Sequence, residues 1–103
     1  MGMSKRKIIY SILKELEIGS FEPKATDYDM SEAEFGDVVE MMENDGLIKG
    51  SAVTRGGRGN EAKLVFLNTA KVTIKGLDYL EENSKWAKTY KGLKEIRDWL
   101  PLP

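Results

Sequence analysis

"SEAEFGDVVEMMENDGLI", residues 31–48, decides how this chain folds. Ser31-Glu32-Ala33-Glu34 has the spacing of a capping box, in which the Ser31 hydroxyl accepts from the Glu34 amide and the Glu34 carboxylate reaches back to the Ser31 amide. Met30 before the cap and Phe35 beyond it are spaced as a hydrophobic staple. Phe35, Val38, Val39 and Met42 then fall on one apolar stripe at helical spacing, and Gly46 supplies a left-handed stop. The stretch predicts a helix over residues 32–44 that runs into a strand beginning at Leu47.

Upstream, Ser4 can cap a helix through about Glu17, with Ile8, Ile9, Ile12, Leu13 and Leu16 on one face and Ile18-Gly19 ending it. Pro23 suits the first position of a short second helix over residues 23–29. Downstream, residues 47–54 read as a strand, 55–60 ("RGGRGN") as a glycine-rich loop and 62–68 as the returning strand of a β-hairpin. Thr73 can cap a helix whose Ile74, Leu77 and Leu80 are expected to face inward. Ser84 begins a last helix in which Trp86, Leu93 and Leu100 recur every seven residues, supported by Tyr90 and Ile96. Trp99 falls off that seam and is expected to be exposed, and Pro101 is the expected stop.

Helix, short helix, turn, helix, hairpin and C-terminal helices make an α+β winged helix: a helix-turn-helix plus a β-hairpin wing, with a C-terminal helical extension, as a single domain over residues 4–100. The segments "EFGDVVEMMENDGLIKG" and "VTIKGLDYLEENSK" are similar to the YjcQ-like family of small winged-helix proteins from Firmicutes and their phages, with the likeness running over roughly residues 5–100. A Glu-x-x-Gly-Leu-Ile helix end (Glu43 to Ile48) and a Thr-x-x-Gly-x-x-x-Leu segment (Thr73 to Leu80) carry it. The resemblance implies the fold; a DNA-binding regulator follows from fold likeness only by analogy.

The charge on the quoted helix argues against that analogy. It holds Glu32, Glu34, Asp37, Glu40, Glu43 and Asp45, and no Lys or Arg. A groove-reading helix turns its solvent face to the bases, and here that face is Ala33, Asp37, Glu40 and Asn44, flanked by Glu34 and Glu43. Like charges about 6 Å apart in water cost roughly 0.7 kcal/mol each, so these acids against two phosphate backbones cost about 3–4 kcal/mol before screening. Specific sites beat non-specific DNA by only about 4–10 kcal/mol. The acids near the helix start are explained by the helix dipole, whereas Glu40, Glu43 and Asp45 sit at the wrong end of it. Asp37, Glu40, Glu43 and Asn44 are therefore the candidate face for a basic protein partner.

Positive charge collects elsewhere: Lys5, Arg6 and Lys7, Arg55 and Arg58 in the wing, and Lys85, Lys88, Lys91, Lys94 and Arg97 in the last helix. Arg55 and Arg58 are the candidate nucleic-acid contacts, weighed against the plainer reading of a soluble hairpin tip. "RGGRGN" lacks the Lys-Ser/Thr ending of a phosphate-binding loop. The last helix's seam packs either on the first helix of the same chain, giving a monomer, or on a second copy, giving a homodimer.

Composition narrows the chemistry. Of 103 residues 41% are hydrophobic and 32% charged, the profile of an ordinary globular chain, and the net charge of −1 gives no overall pull toward nucleic acid or anionic membrane. Cys and His are absent, which removes disulfides, thiol nucleophiles, imidazole bases and zinc sites built on them. No catalytic residues, metal ligands or cofactor are expected. No apolar run approaches the roughly 20 residues of a membrane helix, and the start "MGMSKRK" lacks an apolar signal core, so the expected location is cytoplasmic. The function expected is a non-enzymatic regulatory or adaptor module working through protein contacts; the alternative is a transcriptional regulator holding DNA through its basic wing and basic helix.

Overall fold

The computed structural model describes residues 4–100, apart from the Lys63 side chain. Helix α1 (Lys5–Ile18) begins at Ser4, whose hydroxyl accepts from the Lys7 amide, and buries Ile8, Ile9, Ile12 and Leu13. The helix expected over residues 23–29 is a single 3₁₀ turn (Ala25–Tyr28) with Pro23 buried ahead of it. Asp29 closes that turn at φ 58, a left-handed conformation that an α-helix cannot pass through.

Helix α2 (Glu32–Asn44) forms as its caps dictate. The Glu34 amide donates to Ser31 Oγ at 3.1 Å, and the Ser31 amide donates to Glu34 Oε1 at 3.0 Å. Phe35, Val38, Val39 and Met42 are buried, and Phe35 stacks on Tyr28 with centroids 5.8 Å apart.

The strand expected over residues 47–54 is instead two, β1 (Ile48–Lys49) and β2 (Ala52–Gly56). Gly50 divides them at φ 85, and a Cβ there would stand 2.7 Å from the Thr69 carbonyl oxygen. Strand β3 (Glu61–Phe66) pairs with β2, and an unforeseen β4 (Lys71–Val72) pairs with β1, giving two antiparallel two-stranded sheets. The β2–β3 ladder slips between Thr54 and Arg55, so that Thr54 faces Leu64 while Arg55 faces Ala62. The slip turns Ala62 inward against α2, whereas Leu64 stays half exposed.

Helix α3 (Ile74–Glu82) is capped by Thr73, which accepts from the Gly76 amide at 3.0 Å and donates to the Gly46 carbonyl at the end of α2. Its inward residues are Gly76 and Leu80, with Tyr79 beside them; Ile74 is 79% and Leu77 44% exposed, against expectation. The reason is close packing: a Cβ at residue 76 would collide with the Leu47 carbonyl, so the helix lies with its glycine against the chain and rotates Ile74 and Leu77 outward.

Beyond α3 no continuous helix forms. A 3₁₀ turn (Ser84–Trp86), further turns through Thr89, an irregular stretch through Gly92 at φ 100, a second 3₁₀ turn (Leu93–Glu95) and the short α4 (Ile96–Trp99) take its place. The seam residues still reach the core: Ile96 and Leu100 are buried, and Trp86, Tyr90 and Leu93 pack partly buried against it. Trp99, expected outside, is 2% exposed. Its Nε1 donates to Thr89 Oγ1 at 2.8 Å, and its ring meets Tyr90, Tyr10 and Trp86 at centroid distances of 5.0, 5.9 and 6.1 Å. This aromatic cluster replaces regular helix as what holds the segment, and it does so on α1 of the same chain. Lys7 joins it rather than the basic surface: Nζ donates to the Trp99 carbonyl at 3.1 Å and stands 4.9 Å over the indole, and burial lowers its pKa. Pro101 lies outside the described residues.

Candidate functional site

Two sets of residues that the sequence separates, the acids of α2 and the arginine of the hairpin, meet in space. Asp37 and Glu40 lie one helical turn apart, and β2 alternates so that Arg55 shares the inner face with Val53. Arg55 donates to both Glu40 oxygens, from Nε at 3.1 Å and from Nη2 at 2.6 Å, and Nη2 also reaches Asp37 Oδ1 at 3.2 Å. Its Nη1 donates to the Asn60 carbonyl at 3.1 Å, so the guanidinium closes the hairpin turn as well. Glu40 first, then Asp37, raise the arginine's pKa still further. The carboxylates keep a wet side: the Asp37 side chain is 73% exposed and that of Glu40 44%.

Glu43 is engaged one turn on, accepting from the amide and hydroxyl of Ser51, which fixes the entry to β2. Asn44 is exposed at the end of α2. Arg58 is exposed at the hairpin tip. Arg55 pairs with two of the six acids of residues 31–48, and that stretch has no Lys or Arg of its own. Lys85, Lys88, Lys91 and Lys94 form a separate exposed series, and Arg97 lies 3.7 Å from Asp29.

Arg55 and the α2 acids are thus one junction rather than two sites. The signal was present in the sequence: a bidentate-ready pair at three-residue spacing, opposite a strand arginine on the same face as two valines. Gly36, in the middle of the same helix, was the other signal. A Cβ there would collide with Ala62 Cβ, and the hairpin lies close enough for Arg55 to reach because that Cβ is missing.

Inside the molecule a second set of functional side chains is joined. Tyr90 Oη lies 2.6 Å from Glu15 Oε2, Ser11 Oγ 2.8 Å from Tyr90 Oη, and Tyr28 Oη 2.9 Å from Ser11 Oγ. Tyr90 donates to Glu15, and since each hydroxyl has one proton, Ser11 donates to Tyr90 and Tyr28 to Ser11. Burial, above all, pushes both tyrosine pKa values up, so neither phenol supplies a phenolate near neutrality. Among the described residues no group of three or more Asp or Glu is placed to hold a metal ion.

Fold and surface together define a small α+β protein of helices and short antiparallel sheets. The chain belongs to the YjcQ family: the family model described as "YjcQ protein" matches residues 10–99. It is similar to the protein named "Uncharacterized protein YjcQ" of Bacillus subtilis (strain 168), at 34% identity over 98 residues, covering 95% of this chain and 99% of that one. The solution NMR structure of the YjcQ protein from Bacillus subtilis superposes with a TM-score of 0.52 at 26% identity, over 78% of this chain and 96% of that one. None of these names states an enzymatic activity. Among the described residues no helix is long and apolar enough to cross a membrane.

Proposed function

We propose that this chain is a non-enzymatic regulatory or adaptor module of the winged-helix type, acting in the cytoplasm through protein contacts. The element order supports the winged-helix assignment: α1, a turn and α2 correspond to a helix-turn-helix, β2–β3 to the wing, and β1 with β4 to the strand pair at its base. The observation that carries the function is the Arg55 bridge to Asp37 and Glu40. It withdraws a cation from the wing and leaves the would-be reading helix net acidic, which suits a basic polypeptide better than a polyanion.

The test inverts the face while keeping the bridge. Asp37→Lys and Glu40→Lys combined with Arg55→Glu preserve opposite charges across the junction and reverse the outward sign. Proteins captured from lysate by the native chain are expected to be lost with this variant; an unchanged set of partners refutes the acidic face. A second reading, DNA held through Arg58 and the exposed series Lys85, Lys88, Lys91 and Lys94, has those surface cations in its favour. A DNA titration against salt separates the two: the adaptor predicts no retardation at low salt, the DNA binder a steep loss of binding as salt rises.

A further inference from the structure

An open groove of about 670 Å³ runs between the end of α1, the loop after it and the stretch before α4. Ile18, Phe21 and Leu93 supply its apolar wall, and Phe21 is 66% exposed with no core to fill. Glu15 also lines it, although the residue is only 4% exposed. Burying a carboxylate costs several kcal/mol unless a cation or a full set of donors compensates. Glu15 has one neutral protein donor, Tyr90 Oη on Oε2; among the described residues no cation lies within ion-pair distance, and Oε1 accepts from no protein group and keeps some contact with solvent. Gly92, on the same wall, puts no side chain beside the carboxylate: a Cβ there would lie 3.9 Å from Oε2.

We infer that this groove binds a small organic ammonium ion with an apolar body, the ammonium donating to Glu15 and the body lying on Ile18, Phe21 and Leu93. Lys24, Lys91 and Lys94 stand on the rim and oppose a cation. They are exposed, and Lys24 is already 3.7 Å from Glu22 Oε1. Exposed charges are screened by water and contribute little, whereas the largely buried carboxylate is screened less, so Glu15 decides the sign. The groove shares no residue with the α2 junction, and its occupancy is independent of the adaptor function.

The probe is phenethylammonium, titrated into the full chain and followed by amide NMR, with phenethyl alcohol and phenylacetate as neutral and anionic counterparts. The ammonium is expected to shift resonances of residues 15–24 and 91–95, and the other two to leave them unmoved. Glu15→Gln keeps an acceptor for Tyr90 and hence the fold, but is expected to weaken binding by about tenfold or more. Phe21→Ala, which removes an exposed ring, is expected to weaken binding with no change in melting temperature. No shift at low-millimolar ammonium, an equal response to phenylacetate, or binding unaltered in Glu15→Gln or in Phe21→Ala overturns the inference.

Discussion

Replacing Gly36 by Ala should destabilise this protein, although alanine is the better helix former. In an exposed helix the exchange gains about 1 kcal/mol. Here residue 36 is buried at the middle of α2, and its new Cβ would collide with Ala62 Cβ while standing 3.4 Å from methyls of Val53 and Val65. Ala62 has no rotamer to yield, and the two valines block sideways escape, so the hairpin must back away as a body. Overpacking of this kind costs about 1–3 kcal/mol, and the rigid neighbour places it at the upper end. Subtracting the propensity gain leaves about 2 kcal/mol, or a fall of roughly 10 °C in melting temperature. Ala62→Gly alone should also destabilise, by about 0.5–1 kcal/mol, because glycine weakens a strand. The combination Gly36→Ala with Ala62→Gly restores the clearance and should melt above Gly36→Ala alone, which is the reverse of additivity. Thermal denaturation of the four proteins decides it. If Gly36→Ala is as stable as the native chain, or if the two losses simply add, the close approach of helix and hairpin is wrong.

Three other outcomes follow from the same structure. Ser31→Ala removes one half of the capping box on α2 and should cost about 0.5–2 kcal/mol in chemical denaturation. Trp99→Ala should cost about 3–5 kcal/mol and abolish near-ultraviolet circular dichroism from the aromatic cluster, whereas an exposed Trp99 would make it nearly silent. Alkaline titration should unfold the chain. Tyr28 and Tyr90 have folded pKa values above their unfolded values, chiefly through burial, so their contribution is complete below about pH 10 and shrinks above it, by about 1.4 kcal/mol per pH unit for each. Lys7 acts oppositely, its lowered pKa adding stability as pH climbs toward 10.5, but one lysine does not offset two tyrosines. Tyrosinate absorbance should therefore rise together with loss of helix signal; independent titration at the ordinary tyrosine pKa refutes the burial.

What the sequence made legible was local. The caps at Ser4, Ser31 and Thr73 and the stop at Gly46 depend on residues within one turn of each other, and each forms as its spacing predicts. The family membership was legible in the same segments. What failed was long-range. Trp86, Leu93 and Leu100 do reach the core at their seven-residue interval, but the helix they implied does not form. Gly92 takes a positive φ of 100 that breaks the helix, and aromatic contacts with Tyr10, far away in sequence, outweigh helix propensity. Ile74 and Leu77 looked like core because periodicity counts apolar residues and gives Gly76 no weight, yet the glycine marks the face that packs closest. The α2 surface was half legible: its sign and the inward-facing Arg55 are written in the sequence, but the pairing also needs the hairpin to lie close over Gly36, an approach between segments distant in the chain.

The clasp between Lys7 and Trp99 joins α1 to α4 across 92 positions of sequence. Each of these two helices is therefore the other's lid. Trimming from either side would lay bare the same aromatic patch, and a truncation made to simplify the protein would yield a stickier one.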